Sequence, residues 1–164
     1  MLSAREQFLS TFKREHATTV KVLRALPGGQ GEFQPHPRSQ SVRQLAWTFV
    51  MEQALITHAI NGTLKITGAM PKAPDDYDVI VQQFDTDFSA LCALIEKTSD
   101  ERFSTGTVQF PAGPGKMADY PIVDFSWFML FDQIHHRGQF SVMLRMAGGK
   151  VPAIYGPSAD EPWM

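Results

Sequence analysis

Four long segments of the sequence repeat inward-facing residues every three or four positions, which is the spacing of one face of an α-helix. In the first segment the repeat runs through Leu2, Leu9, Phe12, His16, Thr19, Leu23 and Leu26. Each segment is bounded by glycine, proline or a residue that caps helices, and the connections between segments are rich in glycine and proline. The pattern therefore predicts four helices that pack through their apolar faces.

Capping residues mark where the second helix begins and ends. Ser41 is expected to cap its start, with Gln44 in the reciprocal position of a capping box. The pair Asn61-Gly62 is expected to end it, because glycine readily adopts the left-handed conformation found after a helix. Helix two is thus predicted between these two signals.

The second half of the chain contains two further helices and an extended segment. Helix three is predicted from Tyr77 to the region of residues 98–100. Residues 103–120 contain three glycines and two prolines, and the alternation of side chains around residues 103–110 predicts a short hairpin or an extended loop. Helix four is predicted from Pro121 to about Ala147, and its run from Ile122 to Phe131 is so apolar that it should be the most buried helix.

The connections determine the type of helical fold. Residues 27–40 and 103–120 are long enough to cross the end of a helix bundle, and the proline-rich tail at residues 151–157 is expected to pack back as extended chain. We therefore predict an all-α four-helix bundle with long connections and an extended C-terminal tail. Residues 1–164 are expected to form a single domain.

Composition narrows the possible functions. The formal net charge of −2 gives no basic patch for nucleic acid, and no apolar run reaches the length of a membrane span. The N-terminus lacks the basic and apolar order of a secretory signal, and Cys92 is a lone cysteine expected to be a small buried hydrophobe. We therefore expect a cytoplasmic protein with neither a nucleic-acid nor a membrane partner.

Asp132 is a carboxylate in a segment of the sequence where a charged side chain is unexpected. It directly follows an apolar run in the helix predicted to be the most buried, where an isolated carboxylate should be paired, protonated or bound to a metal. His136 follows one turn later on the same face, at a spacing that lets two side chains converge on one ion. Two interpretations remain open: half of a metal site, or a hydrogen-bonded pair that fixes helix four.

Glu52 is the corresponding candidate on helix two. It lies about 60° round the helix from Phe49 and is expected either to face the interior or to lie at the solvent edge. Thr48 precedes it by one turn, so both side chains would present oxygens to Asp132 and His136 if helices two and four are neighbours. Metal sites in helical bundles are commonly built in this way.

The other histidines are weaker candidates. His16 is predicted to point inward as a hydrogen-bonded core residue, and His36 to be solvated in a loop. His58 lies about 120° from Glu52 on the helix, which places it away from a shared ion, while His135 is expected to make a polar contact at a helix interface. Arg137 and Gln139 are expected to satisfy neighbouring helix ends.

Two strings of residues carry a family resemblance. The first is His135-His136-Arg137-Gly138-Gln139, followed by residues 144–149 and 151–156; the second is residues 41–48 with Glu52. Together with the order of the helices, these strings resemble the DinB/YfiT-like superfamily over nearly the whole chain. The resemblance implies a four-helix bundle, often dimeric, that commonly binds a divalent metal through one histidine on helix two and two on helix four.

Carried over position by position, those three ligands fall on Thr48, Asp132 and His136, and only His136 keeps the histidine. A hydroxyl, a carboxylate and one imidazole form a harder donor set than three imidazoles unless Glu52 joins it. Three outcomes follow: a remodelled site of Glu52, Asp132 and His136, an exchanged helix-two ligand, or no metal. The possible ions are zinc, nickel, manganese and iron.

The resemblance also suggests functions. Some members are metal-dependent transferases acting on a low-molecular-weight thiol, so one hypothesis is such a transferase or a hydrolase-like enzyme. The alternative is a metal-free module that binds a small molecule or dimerises without catalysis. A homodimer is expected in either case.

Overall fold

The computed structural model of the protein describes residues 1–66, 68 and 71–163. In these ranges the chain is mostly helical. Four helices are long and a fifth is short, and two strands form a hairpin. In chain order they are α1 (Ala4–Arg24), α2 (Val42–Asn61), α3 (Tyr77–Lys97), α4 (Asp100–Thr105), β1 (Thr107–Gly113), β2 (Lys116–Pro121) and α5 (Ile122–Met146).

The predicted capping residues fix both ends of α2. The Ser41 hydroxyl accepts a hydrogen bond from the backbone N–H of Gln44, and the Gln44 side chain accepts one from the backbone N–H of Ser41 at 2.9 Å. Gly62 then ends the helix with a φ of 68°, in the left-handed region that favours glycine. Both predictions for this helix are confirmed.

The long helices pack on one another through two groups of buried apolar residues. Helix α2 contacts both α3 and α5, while α1 contacts α5 and α3. One group surrounds Phe8, Phe103 and Phe125, and the other surrounds Phe49 and Phe140. Since α2 and α5 lie side by side, residues on their facing surfaces can form a common site. None of the helices in the described ranges is both long and apolar enough to cross a lipid bilayer.

The segment between α3 and α5 corrects the predicted count of four helices and the all-α class. Ser99 caps the short helix α4 by accepting a hydrogen bond from the backbone N–H of Arg102, and this helix was not predicted. Strands β1 and β2 then pair antiparallel, so the hairpin alternative was right. Phe110 of β1 packs edge-to-face on Phe125 of α5, with ring centroids 5.0 Å apart, which attaches the hairpin to the helices.

Helix α5 is less buried than the sequence suggested. Phe128 is 51% exposed and Phe131 is 60% exposed, although both belong to the apolar run that was predicted to be the most buried. The prediction was wrong because a continuous apolar run has no period, and only a period indicates which side of a helix faces the core. One side of α5 packs inward, and the other carries aromatic rings in solvent.

The C-terminal tail packs back on the helices, as predicted, but it bends at residues 154–156 and is not extended throughout. In the described part of residues 147–163 no helix or strand forms. Asp160 accepts hydrogen bonds from Arg145 and from the backbone N–H of Val151, and Glu161 accepts one from Lys21. The tail is therefore attached to both α1 and α5.

Candidate metal centre

Glu52 of α2 converges with Asp132 and His136 of α5. One ligand atom from each of the three side chains lies within 4.8 Å of the other two. Asp132 and His136 share a face of α5 because they are four residues apart, and Glu52 reaches them because α2 packs on α5. The structure thus brings together three of the four residues predicted for a metal site.

Glu52 faces the interior, which decides between the two alternatives for this residue. Its side chain is 3% exposed, and its Oε1 lies 2.9 Å from Nδ1 of His136. Its Oε2 is buried with no hydrogen-bond partner among the described residues. Burial raises the pKa of Glu52 to about 7, although the hydrogen bond with His136 acts in the opposite direction.

The contact with Glu52 also changes the pKa of His136. The hydrogen bond with Glu52 raises the pKa of the His136 imidazole, against an opposing effect of partial burial. A hydrogen bond between Oε1 of Glu52 and Nδ1 of His136 requires a proton on one of these two atoms. Any cation that binds here has to displace that proton.

Asp132 lies at the solvent edge of the site, and its predicted deep burial was wrong. Its side chain is 38% exposed, and its Oδ1 lies 4.0 Å from Nε2 of His136, beyond hydrogen-bond distance. Asp132 directly follows the exposed Phe131 in the apolar run of α5. Its burial was overestimated because a continuous apolar run does not indicate which side of a helix faces the core. The hydrogen bond between Asp132 and His136, one of the two interpretations of their spacing, is therefore not made.

Thr48, the fourth predicted ligand, forms its hydrogen bond within its own helix. Its hydroxyl donates to the backbone carbonyl of Gln44 in its own helix at 3.3 Å, and it lines a cavity with Trp47 and Pro71. His136 lines a different cavity. Thr48 as a metal ligand stays a prediction.

The three converging residues form a possible set of ligands for a divalent ion. Ligand atoms bound to one zinc ion lie about 2.0–2.2 Å from it, so a separation of up to about 4 Å between two ligands is what a shared ion produces. Nε2 of His136 and Oδ1 of Asp132 have that separation. Oε2 of Glu52 is a buried carboxyl oxygen without a hydrogen-bond partner among the described residues, and it could bind a cation. One imidazole and two carboxylates favour manganese, iron or zinc.

A cavity of about 520 Å³ lies beside His136. Besides His136, the polar residues that line it are Ser39, Gln40 and Gln139, and its apolar residues include Leu45 and Met143. This is the size and lining of a small-molecule pocket. The sequence did not reveal it, because residues 35–40 form part of a loop whose path was unpredictable.

The remaining histidines lie outside the site. His16 is 6% exposed and hydrogen-bonds Asp85 through Nε2 at 3.1 Å, as expected for a satisfied core histidine. His58 contacts Thr63 at the end of α2. His135 is exposed and contacts Gln139 of its own helix at 2.9 Å, so its predicted contact with a second helix is absent from the described structure.

Comparison with known proteins agrees with this architecture. The model of the DinB family matches residues 1–163. The chain belongs to the DinB family. As a DinB-family protein it is 25% identical over 166 residues to the uncharacterized protein YrdA of Bacillus subtilis (strain 168), a match covering 98% of this chain and 93% of YrdA.

Solved structures share the fold of this DinB-family chain. A DinB-like protein from Bacillus cereus ATCC 10987 superposes with a TM-score of 0.75 at 24% identity, covering 90% of this chain and 95% of that one. The DinB-like protein YjoA from Bacillus subtilis gives a TM-score of 0.69 at 15% identity, covering 90% and 97%. At these identities the likeness establishes the fold alone, and the chemistry has to be inferred from the residues of the site.

Proposed function

We propose that this DinB-family protein binds one divalent metal ion through Glu52, Asp132 and His136, and that the ion serves a thiol-transferase or hydrolase-like reaction. The observation that carries the proposal is the buried, unpartnered Oε2 of Glu52 beside an imidazole and a second carboxylate. A buried carboxylate without a full set of partners costs free energy, and a cation would offset that cost. Zinc, manganese, iron and nickel are the candidate ions.

When bound, such an ion acts as a Lewis acid that lowers the pKa of a thiol or water ligand. Glu52 at the buried side of the site, Asp132 at its solvent edge and one ring nitrogen of His136 would hold the ion. In the adjoining cavity, Ser39, Gln40 and Gln139 would orient a small uncharged or thiol-bearing substrate by hydrogen bonds. Thr48 would join the ligands only after leaving the carbonyl of Gln44.

A metal-free module that binds a small molecule is the second candidate. It is favoured by the direct hydrogen bond of 2.9 Å between Glu52 and His136, which already gives each side chain one partner without an ion. The two candidates differ in one measurable property, which is whether the purified protein takes up a divalent ion in a ratio of one to one.

Metal uptake by tag-free protein tests the proposal. Protein stripped with a chelator is titrated with zinc, manganese, iron or nickel by calorimetry, and its melting temperature is recorded with and without each ion. We expect stoichiometric binding and a higher melting temperature, because an ion that binds only the folded state stabilises it. Both effects should be lost in His136→Ala and Glu52→Gln.

His58→Ala is the matched control, since His58 is a histidine of the same helix as Glu52 that lies outside the site. It should bind metal like the unmodified protein. Absence of stoichiometric binding together with an unchanged melting temperature for all four ions would exclude the metal function and leave the metal-free module.

A further inference from the structure

The cavity beside His136 is almost free of charged groups. Among the described residues that line it, His136 is the only one whose side chain can ionise. Its imidazole is itself hydrogen-bonded to the carboxyl group of Glu52 at 2.9 Å. Leu45, Val142 and Met143 contribute apolar surface. A ligand in this cavity therefore meets hydrogen-bonding groups and apolar surface, but no arginine or lysine of the described lining.

The N-terminal end of α2 lies at this cavity, and its donors are already used. An open helix end is a common anion site, because its first N–H groups lack partners inside the helix. In α2, however, the N–H groups of Val42 and Arg43 donate to carbonyls of the preceding loop at 3.0 and 2.8 Å. Those of Ser41 and Gln44 are bonded in the capping box. The chain itself thus occupies the helix end that a carboxylate or phosphate would need.

The cations of the adjoining cavity are also paired. Arg43 and Lys72 line this second cavity, which shares one lining residue with the first. Arg43 forms an ion pair with Glu32, and Nζ of Lys72 lies 3.4 Å from Oδ1 of Asp75. Arg38 is exposed in the neighbouring loop and lines neither cavity. Among the described residues, a ligand carboxylate would find no unpaired cation in either wall.

The candidate metal ligands do not change this balance. The carboxylates of Glu52 and Asp132 would together cancel the charge of a divalent ion, whereas three imidazoles would leave that charge in full. We propose that the cavity beside His136 takes a small neutral thiol or alcohol that carries an amide group, and that it discriminates against ligands bearing a carboxylate or phosphate. The thiol or alcohol rests on the proposed metal function; the neutral character rests on the cavity wall.

Two glutamine side chains account for the amide group of the ligand. Gln40 and Gln139 both line the cavity, and the contact of Gln139 with His135 at 2.9 Å uses only one of its polar atoms. A side-chain amide both donates and accepts hydrogen bonds, so it pairs well with another amide. A carboxylate in the same place would lose hydration without gaining a cation, which costs free energy.

Two thiols of nearly equal shape test the discrimination. N-acetylcysteinamide is neutral, and N-acetylcysteine carries a carboxylate in place of its terminal amide. Each is titrated by calorimetry into zinc-loaded protein at the same pH and ionic strength. We expect the amide to bind at least about tenfold more tightly than the acid. Equal affinities or tighter binding of the acid would overturn the proposal, and so would the absence of binding by both.

A lysine in the cavity wall should weaken the discrimination. Val142 lines the cavity and is 61% exposed, so a lysine fits there without entering the core. Val142→Lys should raise the affinity for the acid severalfold, as an exposed ion pair does, and leave the affinity for the amide unchanged.

Val79→Lys is the matched control, because Val79 is a 45% exposed residue of α3 outside this cavity. It should change neither affinity, and circular dichroism should show both variants folded. An equal rise in acid affinity in the two variants would overturn the placement of the ligand beside Val142.

The metal titration separates this proposal from the metal function. If the protein takes up no divalent ion, the two thiols are compared on the metal-free protein by ligand-observed NMR. A preference for the amide there would uphold the neutral cavity while the metal function fails. Protein that binds zinc in a ratio of one to one but prefers the acid would refute the neutral cavity alone.

Discussion

Arg137 carries a full charge into the interior of the protein, where its side chain is 2% exposed. Its guanidinium donates to Oε2 of Glu15 at 2.8 Å and to the hydroxyl of Thr19 at 3.2 Å, and it also bonds the hydroxyl of Tyr155. Burial alone would raise the pKa of Glu15, but the hydrogen bonds from Tyr155 and Arg137 outweigh it and lower the pKa. The four side chains form one connected polar network.

Arg137→Ala should therefore destabilise the protein strongly. Removing one partner of a buried ion pair leaves an uncompensated charge, which typically costs about 3–5 kcal/mol of unfolding free energy. Arg14→Ala is the matched control, because Arg14 approaches the same Glu15 at 3.6 Å from solvent, with its own side chain 71% exposed. Its cost should be below about 1 kcal/mol. Similar losses in urea denaturation of the two variants would contradict this account of the network.

At the residue scale, the sequence predicted which side chains form the candidate site better than it predicted their burial. The four-residue spacing of Asp132 and His136 indicated their common face, and the position of Glu52 among apolar residues left an inward orientation as one of two alternatives. Burial depends on neighbouring helices, and for that reason Asp132 was placed too deep. The role of Arg137 was anticipated only in part, since its main partner, Glu15, lies 122 positions away.

Residues at the two ends of helix α2 determine where the helix begins and ends. The capping box of Ser41 satisfies two backbone groups that the first turn leaves without partners inside the helix. Ser41→Ala should lower the unfolding free energy by about 1 kcal/mol, as measured by urea denaturation.

Ser89→Ala is the control for this change, because Ser89 is an exposed residue inside α3. There, alanine should leave stability unchanged or raise it slightly, since alanine is the better helix former. A Ser41→Ala variant as stable as the Ser89→Ala variant would show that the cap contributes nothing.

At the element scale, the long helices were predictable because their ends carry short-range signals. Gly62 and the Ser41 cap were recognised directly, and α3 begins at Tyr77 as expected. Helix α4 was missed because its six residues are too few to show a helical period. The hairpin was left as one of two alternatives, since strand pairing depends on the contact between Phe110 and Phe125 as well as on alternation.

For the molecule as a whole, the Glu52–His136 pair links stability to pH. The pKa of Glu52 rises from 4.5 to about 7 on folding, so the folded state holds a proton that the unfolded state has lost between these values. This contribution to stability is fully present below pH 4.5 and is lost as pH rises through 7. His136, whose pKa is also raised, acts in the same direction above pH 6.5.

Glu52→Gln should accordingly stabilise the metal-free protein at alkaline pH. Relative to the unmodified chain, its unfolding free energy should rise between pH 4.5 and 7 and then level off, with a total gain of about 2–3 kcal/mol. Urea denaturation at pH 5 and pH 8 with chelator present measures it. Glu96→Gln is the control, because the Lys13 hydrogen bond lowers the pKa of the exposed Glu96 from 4.5. Its difference from the unmodified chain should therefore not change between pH 5 and pH 8. A flat difference for Glu52→Gln would contradict the raised pKa.

The network around Arg137 also has a consequence for synthesis. Glu15 leaves the ribosome early, whereas Arg137 and Tyr155 are added more than a hundred residues later. Until then the Glu15 carboxylate has neither of these partners, and burying it would cost free energy. The buried polar network can therefore form only after the last long helix has been synthesised.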